Sequence, residues 1–136
     1  MSGQEKLIAT TAIVCSVVLQ KDGKILLVQE KQPKAYEKWN FPGGRVDAGE
    51  TLELAAMREA KEESGFDVSI IKEILVMHPS VERPVFHIYM AEIIGGELKF
   101  PEDEILDAKW FTKEEIKAME SELRNPELQL KSLELI

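Results

Sequence analysis

Glu59, Glu62 and Glu63 fall three and four positions apart, which places three carboxylates on one stripe of a helix. Like charges this close disfavour one another's ionisation, so the cluster is costly unless a cation sits among them. Several carboxylate oxygens with no sulfur or imidazole among them suit a hard dication, Mg²⁺ or Mn²⁺. The stripe follows a glycine-rich turn, Pro42-Gly43-Gly44. Metal-assisted chemistry is therefore the first activity that these residue types support.

The helix that must carry the stripe is well specified. Thr51 is a good N-cap, Gly65 fits the C′ position, and Gly49 marks the turn before them. Glu53 in the first turn suits the positive end of the helix dipole. Leu52, Ala55 and Ala56 share a face with Glu59, Glu62 and Glu63, so the stripe is apolar in its first half and acidic in its second. Leu54 and Met57 lie opposite, which predicts packing on both faces. Arg58 sits beside the acids and can pair with one. A charge run is usually a solvated face. A solvated face would not continue an apolar stripe beside a glycine turn, so the metal reading is preferred.

The remaining chain supplies strands around this helix. Segments 8–20 and 24–30 are β-rich, with the hairpin signal Lys21-Asp22-Gly23 between them. Segments 69–78 and 85–94 form a second pair joined by residues 79–84, and Gly95-Gly96 reads as a further turn. A short strand is expected over 108–111. Thr112-Lys113-Glu114-Glu115 is a capping box that opens a helix through about Leu123. Asn125-Pro126 reads as N-cap and N1 of a final helix bearing Leu128, Leu130 and Leu133. There are no repeats or interdomain linkers, so one domain over 1–136 is expected. Runs of strands with a few helices give an α+β class or a helix–sheet–helix sandwich.

The chain has 136 residues and a formal net charge of −8. That length suits one domain with one core. The negative charge argues against binding a nucleic-acid polymer through its phosphates, but a bound metal can invert the charge locally for a small nucleotide. The single cysteine, Cys15, lies in an apolar run and reads as a buried, inert thiol. No signal peptide or membrane span is visible, so a cytoplasmic monomer or homodimer without a membrane partner is expected.

Gly44, five residues, Glu50, seven residues, then Arg58-Glu59-Ala60-Lys61-Glu62-Glu63-Ser64-Gly65-Phe66 resembles the signature of the Nudix hydrolase family. Every charged and glycine position of that signature is present. Ala60 departs from the usual larger aliphatic residue and Phe66 is a looser match, which touches packing volume and removes no ligand. The resemblance covers roughly residues 8–123 and is similar in layout to the MutT-like and NudJ-like branch, including Leu123-Arg124-Asn125-Pro126. It implies an α/β/α sandwich on a mixed sheet. It implies a Mg²⁺-dependent pyrophosphohydrolase (Mn²⁺ being the other candidate metal) that cleaves nucleoside di- or triphosphates or related diphosphate derivatives by water attack at phosphorus. It also implies metal ligation by Glu59, Glu62, Glu63 and the Gly44 carbonyl, a glycine allowing close backbone approach. Glu50 and Arg58 would then hold the carboxylates in position.

Several further residues are candidates. Glu104, in the acidic segment Glu102-Asp103-Glu104, lies six residues before Trp110, where related enzymes place an acid near the metals. It is a candidate general base, against an exposed acidic loop as the plain alternative. Arg45 follows the glycine turn and can grip phosphate; Lys34 and Arg83 have less support. Trp39 could stack on a base, although packing in the core is the commoner fate of such a residue. His78 and His87 read as structural. Two other functions compete: hydrolysis of ADP-ribose or a thiamine-type pyrophosphate, and a non-catalytic nucleotide sensor. The complete glutamate set counts against the sensor.

Overall fold

The computed structural model describes residues 11–136. Of the segment expected as the first strand, residues 8–10 lie outside the described residues. The observed elements are β1 (Ile13–Lys21), β2 (Lys24–Glu30), β3 (Trp39–Asn40), β4 (Gly43–Arg45), α1 (Leu52–Ser64), β5 (Phe66–Met77), β6 (Val85–Gly96), β7 (Ile105–Phe111), α2 (Lys113–Ala118) and α3 (Pro126–Glu134).

The sheet is mixed. Its strands run in the order β3-β2-β1-β6-β5, with β4 added to β1 and β7 to β2. β1 and β6 are parallel, and the other pairings are antiparallel. Side chains alternate across each strand. Cys15, Val17 and Leu19 therefore enter one core with Ala55, Ala56 and Ala60 of α1. Val18, Ile25 and Leu27 face a second core with Ile116 of α2 and Leu128 and Leu133 of α3. Helices cover both faces, which makes the α/β/α sandwich. Ala60 is fully buried, so the small residue sits where α1 meets the sheet closely.

The turns follow local chemistry. Asp22 and Gly23 both take positive φ, at 52° and 76°, as a two-residue hairpin of this hand requires. Thr51 caps α1 by accepting from the Leu54 N–H, and Gly65 closes it at φ 82°. The capping box of Thr112 and Glu115 forms with both of its bonds.

Five expectations need correction. Leu54 is exposed, so α1 packs chiefly through one face. Gly95 and Gly96 are the end of β6 rather than a separate turn, and β7 begins three residues earlier, at Ile105. The helix opened by Thr112 stops at Ala118, and a 3-10 turn over Glu120–Glu122 leads on to Leu123. Pro126 starts α3 as expected, but the Asn125 side chain does not cap it.

Gly43 shows how tightly β4 is laid on β1. A Cβ there would stand 2.5 Å from the Cys15 carbonyl oxygen and 2.7 Å from the Ser16 Cα. Backbone cannot yield cheaply, so Gly43→Ala is expected to cost about 1–3 kcal/mol. A lowered thermal midpoint would show this, and an unchanged one would contradict it.

Candidate active site

Strand β4 brings Gly43 and Gly44 alongside α1. The Gly43 N–H donates to Oε1 of Glu63 at 2.9 Å. A Cβ on Gly44 would lie 2.5 Å from the Glu59 carboxylate, so the bare backbone is what lets Glu59 rest there. Both glutamates line a cleft of about 940 Å³ together with Glu30, Glu104 and Gly44. Arg45, Lys34, Arg83 and Arg124 also line it.

Electrostatics at the acidic end is strained. Burial pushes the Glu63 carboxyl up to about 8; the Gly43 N–H opposes this, and the charges of Glu59, Glu30 and Glu104 add to it. Glu59 is also raised, first by burial, with Arg58 opposing and Glu62 and Glu104 contributing. Glu30 is raised by burial against the pull of Arg124 and Asn40. Four acids thus press on one another in a partly desolvated pocket. Oxygen-only donors and this excess of negative charge fit a hard dication. Among the described residues, no three such side chains are already drawn into a cage around one point.

Arg58 is the organiser of the site. Its guanidinium donates to Glu50 at 2.6 and 2.9 Å, to Glu59 at 2.9 Å, to Glu62 at 3.2 Å, and to the Arg45 carbonyl at 3.0 Å. Glu50 also accepts from the Asp47 N–H at 3.0 Å, and these bonds, that of Arg58 foremost, hold its carboxyl down at about 2. A planar fork with five donors serves several acceptors at once, which an ammonium cannot. Breaking a buried charge network costs about 3–5 kcal/mol. With its side chain 28% exposed, Arg58→Ala is expected to cost less, on the order of 2 kcal/mol, with Arg58→Lys recovering little. Thermal denaturation of the two variants checks this; a lysine variant as stable as the wild type would contradict it.

The structure sorts the predicted residues. Glu59, Glu63, Gly44, Arg45 and Glu104 line one cleft. Glu62 is 53% exposed and does not line it, yet it shares an Arg58 nitrogen with Glu59. Trp39 is a correction: it is 7% exposed, packs edge-on against Phe111 at 5.1 Å between ring centroids, and offers no face for stacking a base. Its carbonyl instead accepts from the Arg124 N–H and the buried Gln129 side chain. His78 is bonded to the Arg83 carbonyl and His87 to Glu73, and neither lines the cleft. Cys15 is buried, and burial pushes its thiol up to about 11.

The segment bearing Glu104 is tied down rather than loose. The Lys31 N–H donates to the Glu104 carbonyl at 3.0 Å, the Lys31 Nζ to the Glu102 carbonyl at 3.1 Å, and the Ile105 N–H to the Pro101 carbonyl at 2.9 Å. Glu30 escaped the sequence reading. It ends β2, where the register with β7 shifts, and its carboxylate lies 3.4 Å from the Arg124 guanidinium. The only sequence signal was a charge closing an apolar strand.

The family model for the NUDIX domain matches residues 9–130. A putative nudix hydrolase 1 of Caenorhabditis elegans is 34% identical over 116 residues, 82% of this chain and 32% of that protein. An ADP-ribose pyrophosphatase of Methanocaldococcus jannaschii is 37% identical over 97 residues, 68% of this chain and 57% of that protein. Among solved structures, a NUDIX hydrolase from Nitrosomonas europaea superposes with a TM-score of 0.73 at 26% identity, covering 92% of this chain and 87% of that one. The chain belongs to the Nudix family. It spans between about a third and three fifths of the length of these two curated relatives.

Proposed function

We propose that this chain is a Mg²⁺-dependent pyrophosphohydrolase that cleaves a nucleoside diphosphate linked to a further group, by attack of water at phosphorus. The observation that carries the proposal is the meeting of Glu59 and Glu63 with the bare Gly43-Gly44 backbone in a cleft that also holds Glu30 and Glu104. The ADP-ribose pyrophosphatase name of the Methanocaldococcus relative supports this substrate class.

In this reading Glu59, Glu62, Glu63 and the Gly44 carbonyl would hold the divalent ion. The ion supplies charge neutralisation at the diphosphate and a more acidic water. Arg58 keeps Glu59 oriented through its bonds to Glu50 and the Arg45 carbonyl. Arg45, exposed on the cleft rim, takes phosphate oxygens. Glu104, coupled to both Glu59 and Glu63, takes the proton of the attacking water.

A phosphorus NMR screen for cleavage of the diphosphate bond in nucleoside di- and triphosphates, nucleotide sugars, ADP-ribose and thiamine pyrophosphate, with Mg²⁺, tests the proposal. Turnover of at least one nucleoside diphosphate derivative is expected. Binding of nucleotides without cleavage of any of them would establish the sensor reading instead.

A further inference from the structure

We propose that Arg83 is a specificity-determining residue that binds a second anionic group, a phosphate or carboxylate, on the part of the substrate beyond the pyrophosphate. The inference rests on the hydrolase reading above and names its substrate class more closely.

Arg83 lies on the connection between β5 and β6, on a cleft wall with Met77, Pro79, Pro84 and Phe86. Its guanidinium carbon stands 5.4 Å from the centroid of the Phe86 ring. One guanidinium nitrogen donates to the Asn125 side chain at the start of α3. The backbone is fixed as well. The Arg83 N–H donates to the Ser80 carbonyl at 3.1 Å, and its carbonyl is bonded to His78 Nε2, also at 3.1 Å. An exposed arginine held from two sides has already lost much of the side-chain entropy that binding would cost.

Its charge, by contrast, is not answered. Among the described residues, Arg124 is paired with Glu30 and Arg58 with four acids, whereas the partners of Arg83 are a neutral amide and a ring face. Four of the five donors of a guanidinium remain for a ligand. A bidentate match to phosphate or carboxylate uses them best.

Position decides which part of the substrate is met. Arg45 and Phe86 flank Val14 on opposite sides, in register. Arg45 and the Phe86 wall are therefore two strand spacings apart, roughly 10 Å. The Arg83 guanidinium lies over Phe86, on the wall away from the Gly44–Arg45 end. A group on the nucleoside or sugar attached to a diphosphate seated at that end is the part of the substrate that this wall would meet. Lys34 and Arg45 also line the cleft, but no comparable anchoring holds their cationic groups among the described residues.

The test is calorimetric binding of adenosine 5′-monophosphate and adenosine 2′,5′-bisphosphate to the wild type, Arg83→Ala, Arg83→Lys and Asn125→Ala. The wild type is expected to prefer the bisphosphate about tenfold or more, the scale of one charge-assisted contact. Arg83→Ala should abolish that preference while binding the monophosphate within about threefold of the wild type; Arg83→Lys should restore it in part, and Asn125→Ala should weaken it. No preference in the wild type, no binding of either ligand, or a preference that survives Arg83→Ala would overturn the proposal. The measurement needs no turnover, so its failure is distinct from failure of the hydrolase reading.

Discussion

Glu63→Gln is expected to lower kcat by about 10²-fold or more, the usual scale for loss of a preorganised electrostatic contact, with the fold intact. Glutamine keeps the shape of the side chain and can still accept from the Gly43 N–H. What it loses is the anionic oxygen in the cleft. Stability without metal should move the other way. The Glu63 carboxyl is raised to about 8 in the folded chain, from an ordinary value near 4.5. A group raised on folding stabilises the fold below its unfolded pKa, and that contribution is lost as pH rises through the folded pKa. The metal-free wild type should therefore lose stability between about pH 4.5 and pH 8, and Glu63→Gln should flatten that loss. Near wild-type turnover at saturating Mg²⁺, or an unaltered pH dependence of metal-free melting, would contradict the role given to Glu63.

Glu104→Gln is the second large effect expected. A positioned general base contributes about 10²–10⁴-fold. If Glu104 takes the proton from water, the variant loses that factor in kcat with KM little changed, and the acidic limb of its pH–rate profile flattens. Glu102, on the same acidic segment but outside the cleft lining, is the internal control: Glu102→Gln should change little. Retention of turnover within about threefold in Glu104→Gln, far short of a base contribution, would place the base among Glu59, Glu62 and Glu63 instead. Because the segment is fastened by Lys31, a loss of activity would not be put down to a loosened loop.

Where local chemistry dominates, the sequence was a good guide. The cap of Thr51, the positive φ of Gly65 and the Asp22-Gly23 hairpin depend on a few adjacent residues, and each forms as expected. Helical spacing alone places Glu59, Glu62 and Glu63 on one stripe, but the packing of α1 against β4 decides which of them line the cleft: Glu59 and Glu63 do and Glu62 does not. Longer-range features were not legible. Trp39 looks like a base-stacking candidate until β3 and the C-terminal segment bury it, through contacts more than eighty residues away in sequence. Glu30 joins the site only because β2 and the segment before α3 converge, bringing Arg124 to it. Periodicity gives Leu54 a buried face, yet among the described residues no second layer covers that side of α1. The helix opened by Thr112 continued in sequence pattern, but its chain turns at Met119, which is buried in the core beside Ile116 and Leu123.

The most direct test of the central claim is hydrolysis of a nucleoside diphosphate derivative by the purified chain, followed by phosphorus NMR as Mg²⁺ is removed with excess EDTA and then restored. Cleavage should stop on chelation, return on addition of Mg²⁺, and remain strongly depressed in Glu63→Gln at every Mg²⁺ concentration. Undiminished hydrolysis in excess EDTA would contradict the account, because the acids gathered against Gly43 and Gly44 would then have no part in the reaction.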